Sequence, residues 1–251
     1  IFVGAPVGGL WKSTDGGASW TVMTSVLPSL AVSDVVVDAN NPNIMYLASG
    51  DMDASDAPGI GVLKSYDAGN TWEITGLNFL VSQGRYVSRV IIDPNNSNIV
   101  WAAASNGVYK STNAGVNWVK VLVSNNLRDM ELKPGTSDVL YVTSNTTFYK
   151  STNAGTSFNV ITAGLPIASS SSRMSIAVTE ANPEVVYVVS SNTGDNGFKG
   201  VYKSLNAGTS FSLKSSAPNL LGWDWDGSDF GGQGWYTLSI AASPINENEL
   251  N

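Results

Sequence analysis

The stretch Lys110-Ser111-Thr112-Asn113-Ala114-Gly115-Val116-Asn117-Trp118 decides the fold, because it occurs five times in recognisable form. The other copies run from Lys12 to Trp20, Lys64 to Trp72, Lys150 to Phe158 and Lys203 to Phe211. The shared pattern is Lys-Ser-x-Asp/Asn-x-Gly-x-x-Trp/Phe. Each copy lies between two apolar runs and reads as the turn of a β-hairpin. Asp15, Asp67, Asn113, Asn153 and Asn206 occupy one position, where a side-chain oxygen accepts from backbone N–H groups just ahead and closes the turn. Asn keeps that oxygen without the charge, so turn chemistry accounts for these residues without a catalytic role. The glycine takes φ > 0 at no steric cost. The closing aromatic opens the return strand and brings a large apolar body.

Working outward, the anchoring serines fall at 13, 65, 111, 151 and 204, spacings of 52, 46, 40 and 53 residues. That is the length of a unit of four short strands. One unit shows the plan: Ser88–Ile92 as first strand, a turn at Asp93-Pro94, Asn98–Ala104 as second, Gly107–Ser111 as third and Asn117–Val121 as outermost. First strands recur at Val35–Val37, Met130–Leu132, Ile176–Val178 and Thr237–Ala241. Second strands begin near Ile1, Ile44, Val139 and Val185. No amphipathic helix of useful length is expected. The units run around 1–32, 33–86, 87–126, 127–172 and 173–234, with the start of another at 235–251.

On these residues the chain resembles the Asp-box, or BNR-repeat, β-propellers, which include sialidases, xyloglucan-degrading glycoside hydrolases, sortilin-type receptors and secreted bacterial repeat proteins. The resemblance implies an all-β propeller of four-stranded antiparallel blades. Five blade-equivalents are present; the phase of the two ends allows a closed five-bladed ring in which the last strand completes the first blade, but the reading favoured is part of a larger propeller or longer chain, since an open arc belongs with further blades. Function does not follow from this, because the fold hosts enzymes, receptors and scaffolds.

Composition narrows the classes. The 251 residues are 43% hydrophobic and 13% charged, with net charge −7 and neither Cys nor His. A core is available and disorder is not indicated. Disulfides, thiolate or imidazole metal sites, and Ser-His-Asp or Cys-His catalysis are excluded, which leaves carboxylates, Tyr, Lys and Arg. No basic cluster suits nucleic acid, and no apolar run approaches the roughly 20 residues of a membrane helix. The balance fits a secreted β-protein better than a cytosolic helical one, and the resemblance implies a secreted or cell-surface bacterial protein; the two ends read as those of a piece of a longer chain, with other domains of the same parent chain as partners. The chain has four Arg (85, 89, 128 and 173) and no Arg-Ile/Leu-Pro motif, which argues against a sialidase.

Positions that depart from the repeat are where function is expected. The residue opening each innermost strand reads Asp34, Arg89, Asp129, Ser175 and Ser239. The resemblance places it near the central channel. Asp34 and Asp129 around Arg89 are the pair for acid, base or nucleophile, provided the carboxylates stand roughly 5–10 Å apart; the simpler reading is an ion-paired lining. Two acidic inserts follow, Asp51–Asp56 and Asp224-Trp225-Asp226-Gly227-Ser228-Asp229. The second resembles part of a calcium loop, with Asp224, Asp226 and Asp229 as ligands, but lacks the later bidentate Glu. In the same loop, Trp223 and Trp225 offer flat faces for a sugar ring, while Trp235 and Tyr236 are expected to start a core strand. The insert 190–200, with Asp195 and Asn196, is a further polar decoration. The reading adopted is a non-catalytic binding or scaffold propeller that takes a glycan or protein, with no cofactor except possible calcium. The alternative is a xyloglucanase-like glycoside hydrolase.

Overall fold

The computed structural model describes residues 1–53 and 56–251. The chain is all-β, in five blade-like antiparallel sheets whose strands pair in sequence order. The first sheet has three strands, β1 (Phe2–Ala5), β2 (Gly9–Lys12) and β3 (Thr21–Val22). The second holds β4 (Val32–Val37), β5 (Met45–Ser49), β6 (Gly61–Ser65) and β7 (Glu73–Asn78). The third holds β8 (Val87–Asp93), β9 (Asn96–Ala104), β10 (Gly107–Ser111) and β11 (Val119–Leu122). The fourth holds β12 (Leu127–Leu132), β13 (Leu140–Ser144), β14 (Phe148–Ser151) and β15 (Asn159–Ile161). The fifth holds β16 (Ser171–Val178), β17 (Val186–Asn192), β18 (Phe198–Ser204) and β19 (Ser212–Ser215). Residues 1–127 and 128–251 form two compact units.

Burial follows strand position. Every residue of β5, β6 and β13 is buried. A strand covered on both faces reads as a continuous apolar run rather than an alternating one, which is why Met45-Tyr46-Leu47-Ala48 and Val100-Trp101-Ala102-Ala103-Ala104 carry no polar interruption. The outermost strands β7, β11, β15 and β19 are largely exposed. In the first unit, Tyr46, Val62, Val90, Val100 and Ala102 share one core. In the second, Tyr141, Phe148, Ile176, Val188 and Phe211 share another.

The five repeated turns are built alike. The serine hydroxyl donates to the Asp or Asn oxygen and accepts from the glycine N–H, as in Ser65 to Asp67 (2.8 Å) and Gly69 to Ser65 (2.8 Å). The same oxygen accepts from the N–H four residues ahead, for example Thr71 to Asp67 and Ser157 to Asn153. In the two aspartate copies the second carboxylate oxygen also accepts from a hydroxyl, Ser19 or Thr71; Asn153 and Asn206 reverse this contact and donate to Ser157 and Ser210. Trp20, Trp72 and Trp118 add a bond from the indole N–H to the glycine carbonyl. The glycine φ is positive in each copy, and so is φ at the residue before it, which is Gly16 in the first copy and Ala in the other four.

The invariant lysine has a structural reason that spacing did not reveal. Directly across the strand pair from Lys12, Lys64, Lys110, Lys150 and Lys203 stand Phe2, Tyr46, Trp101, Tyr141 and Tyr187. Four of these ammonium groups lie 5.2–5.5 Å from the ring centroid, within cation–π range. The chain beyond then carries the partner: Lys12 donates to the Ala68 carbonyl at 2.9 Å and Lys64 to that of Ala114 at 3.0 Å, each in the turn of the next sheet.

Two expectations are corrected. Thr237–Ala241 forms no strand, and the pairing beside it is a bridge between Ala242 and Leu250. A strand is defined by pairing, and backbone bonds of this segment join Ala241 to Asn251 near the end of the chain. Leu238 and Ile240 still pack on Val189, Val201 and Phe198, as an inner strand would. Trp235 and Tyr236 are not core; both are exposed, their rings tilted against each other at 4.2 Å in a turn opened by Gln233.

Candidate functional site

The residues opening the inner strands have a shared task. Asp34 accepts from its own neighbour Val35 N–H (2.9 Å) and, through its other oxygen, from Val90 N–H of the following sheet (2.9 Å). Asp129 repeats this with Met130 N–H (2.9 Å) and Ile176 N–H (2.8 Å), and adds the Ser175 hydroxyl (2.7 Å). Each carboxylate therefore stitches its strand to the corresponding strand one sheet on. Arg89 Nη1 lies 3.6 Å from Asp34 Oδ1, an ion pair between neighbouring sheets. Hydrolytic chemistry at either Asp competes with these bonds, because both oxygens already accept from the fold.

A second cluster forms where the two long loops of the second unit meet. Gly232 N–H donates to the Asp195 carbonyl and Gly234 N–H to that of Asn196. Asn219 pins the junction, accepting from Phe198 N–H (2.8 Å) and donating to the Gly231 carbonyl (2.7 Å). The insert 190–200 and the loop that carries Asp224–Asp229, separate in sequence, are thereby one surface.

Between them lies a cleft of about 150 Å³ lined by Asn192, Asp195, Phe198, Asn219, Asp229 and Phe230. This is smaller than the roughly 300–1,000 Å³ of an enclosing ligand pocket, so it suits contact with part of a ligand. Asp229 accepts from Trp223 N–H at 2.6 Å through one oxygen, while the other is buried without a hydrogen-bond partner. Gly222 permits that placement: a Cβ there would lie 2.1 Å from the second oxygen. Phe230 lines the cleft and is 92% exposed; in the same loop Trp223, whose N–H meets Asp229, is 65% exposed and Trp225 98%. Large rings left in water beside carboxylate acceptors are an exposed feature that folding alone does not explain.

The three aspartates of the suggested calcium loop go different ways. Asp229 turns to the cleft. Asp226 accepts from Ser228, whose bonds hold its carboxyl below the usual range. The Asp224 carbonyl accepts from Gly227 N–H. Among the described residues no three metal-ligating side chains come together. In the other acidic insert, Asp51 accepts from Asp53 N–H at 2.7 Å; Ala54 and Ser55 lie outside the described residues. No helix among the described residues is long and apolar enough to cross a membrane.

No family model matches the chain. It is similar to the xyloglucanase Xgh74A of Acetivibrio thermocellus, 31% identical over 133 residues that cover 48% of this chain and 16% of that protein. Among solved structures it is similar to an ancestral GH74 enzyme, with TM-score 0.60 and 27% identity over 75% of this chain and 24% of the other. It is also similar to the GH74 xyloglucanase of Xanthomonas campestris, with TM-score 0.70 and 20% identity over 99% of this chain and 39% of the other. The chain thus spans about a sixth of the length of the curated relative. The likeness to the Xanthomonas structure shows the fold, an all-β set of propeller-type blades.

Proposed function

We propose that this chain is a non-catalytic, glycan-recognising propeller module of the Asp-box type, from a secreted or cell-surface bacterial protein. The observation that carries this reading is the surface of exposed Trp223, Trp225 and Phe230 beside the Asp195–Asp229 cleft. Sugars are bound by stacking on flat apolar rings and by hydroxyls donating to fixed acceptors. Both parts are on this surface. The relatives support a polysaccharide ligand, since those matched over about half of this chain are xyloglucanases.

The second reading is a xyloglucanase-like glycoside hydrolase that uses Asp34 and Asp129, and the same relatives favour it. The stitching role of both carboxylates weighs against it. The test is binding and hydrolysis on xyloglucan and a panel of β-glucans, with Asp34→Asn and Asp129→Asn alongside. The expected result is binding without release of oligosaccharides. Release that either folded variant abolishes would replace the module with the enzyme. A protein ligand takes the place of the glycan if no polysaccharide binds.

A further inference from the structure

Asn106 sits in the hairpin between β9 and β10, and its side-chain oxygen collects three donors. In the amide orientation that its neighbours require, it accepts from Arg85 Nη1 at 2.6 Å, Lys120 Nζ at 3.0 Å and Tyr109 Oη at 3.0 Å. Two full cations thus converge on one neutral oxygen. Like charges held this close repel, and a carboxylate satisfies them far better than an amide. Neither cation pairs with a carboxylate among the described residues. In a chain of net charge −7 this is a local reversal of sign.

The two cations are also held in place. The Arg85 guanidinium lies over the Phe79 ring, 5.8 Å from its centroid, and Lys120 over Tyr109 at 5.0 Å. Lys120 is exposed and Arg85, Asn106 and Tyr109 are half-buried, so a ligand reaches them from solvent. Holding donors in position before binding lowers the ordering cost of a complex. The guanidinium fork adds the planar geometry that a carboxylate matches.

We propose that Arg85, Lys120 and Tyr109 bind a ligand carboxylate, and that the ligand is a uronic acid unit of an acidic polysaccharide. The sugar assignment rests on the glycan reading above; the cation pair adds a selectivity for acid that the Trp223–Trp225 surface does not provide.

The test is calorimetric titration of the intact protein with oligogalacturonate, a neutral β-glucan oligosaccharide, xyloglucan oligosaccharide and oligoglutamate. Oligogalacturonate is expected to bind, about tenfold more weakly in Arg85→Gln or Lys120→Gln, and more weakly as salt rises from about 50 to about 500 mM. Asn106→Asp supplies an internal carboxylate. It is expected to abolish oligogalacturonate binding, leave neutral-glycan binding unchanged and hold or raise Tm. Oligogalacturonate binding that ignores all three variants overturns the proposal. Binding of neutral glycans alone overturns it while the glycan reading stands. Binding of oligoglutamate alone overturns the sugar assignment, and no binding of any glycan defeats both readings.

Discussion

The Lys64 ammonium and the Tyr46 hydroxyl donate to the same acceptor, the Ala114 carbonyl in the turn of the next sheet, at 3.0 and 2.9 Å. Lys64 also lies over the Tyr46 ring. Burial lowers the Lys64 pKa and raises that of Tyr46. The pair shows what the lysine before the motif serine does: Lys12, Lys64 and Lys150 each donate to the turn of the following sheet.

Removing one donor from this shared acceptor costs less than removing both. Tyr46→Phe is expected to cost about 1 kcal/mol and Lys64→Met about 1–2 kcal/mol, with a non-additive double variant. Tyr141 is the contrast: it occupies the same repeat position, but its hydroxyl is buried without a hydrogen-bond partner. Tyr141→Phe is therefore expected to be neutral or stabilising by up to about 1 kcal/mol. Denaturant midpoints of the four variants check this.

The left-handed residue of each turn makes a second comparison. Ala68, Ala114, Ala154 and Ala207 have φ of 57, 55, 54 and 51°, while Gly16 fills the first copy at 74°. A left-handed alanine costs about 1–2 kcal/mol, partly offset by the lower unfolded-state entropy of Ala relative to Gly. Ala154→Gly is expected to stabilise by about 0.5–1 kcal/mol, and Gly16→Ala to destabilise by a similar amount. Thermal unfolding of both reads the sign directly.

Acid acts on two turns and spares three. Bonds from the Thr71 N–H and hydroxyl, then Ser65, lower the Asp67 pKa from 3.8 to about 2. Asp15 is lowered as well, chiefly by the Ser19 hydroxyl. A depressed folded pKa contributes stability that is present above 3.8 and lost as pH falls through about 2. Asn113, Asn153 and Asn206 have no such titration. Tm is expected to fall between about pH 4 and pH 2, and Asp67→Asn to flatten part of that fall. An unchanged acid limb in Asp67→Asn contradicts the assignment.

Calcium in the 224–229 loop is decided by chelation. Because no three metal-ligating side chains converge among the described residues of this loop, EDTA is expected to leave Tm unchanged. A fall in Tm that Asp226→Ala abolishes would instead place the ion there.

How much of this was legible depends on how local the cause is. The turns were readable because Ser65, Asp67, Gly69 and Trp72 act within eight residues of one another, and each copy confirms the others. The strand pattern followed from the spacing of those turns. The lysine belt was present in the sequence as two columns in phase, Lys before each serine and an aromatic at 2, 46, 101, 141 and 187, but its meaning needs the cross-strand register. Asp34 and Asp129 were picked out correctly as equivalent, while their partners Val90 and Ile176 lie one repeat ahead and leave no sequence mark. Trp235 and Tyr236 misled because an apolar pair reads as core unless the missing partner strand is seen. The meeting of 190–200 with 215–234, and of Arg85 with Lys120 at Asn106, is long-range, so composition is silent on it.

The most direct test of the central claim is the affinity of Trp223→Ala and Trp225→Ala for a bound glucan or xyloglucan oligosaccharide, followed by calorimetry with Tm recorded for each. Both side chains are exposed, so stability is expected to move by no more than about 0.5 kcal/mol. Affinity is expected to fall at least about tenfold for each. Unchanged affinity in both folded variants would contradict the account and move the ligand away from this surface.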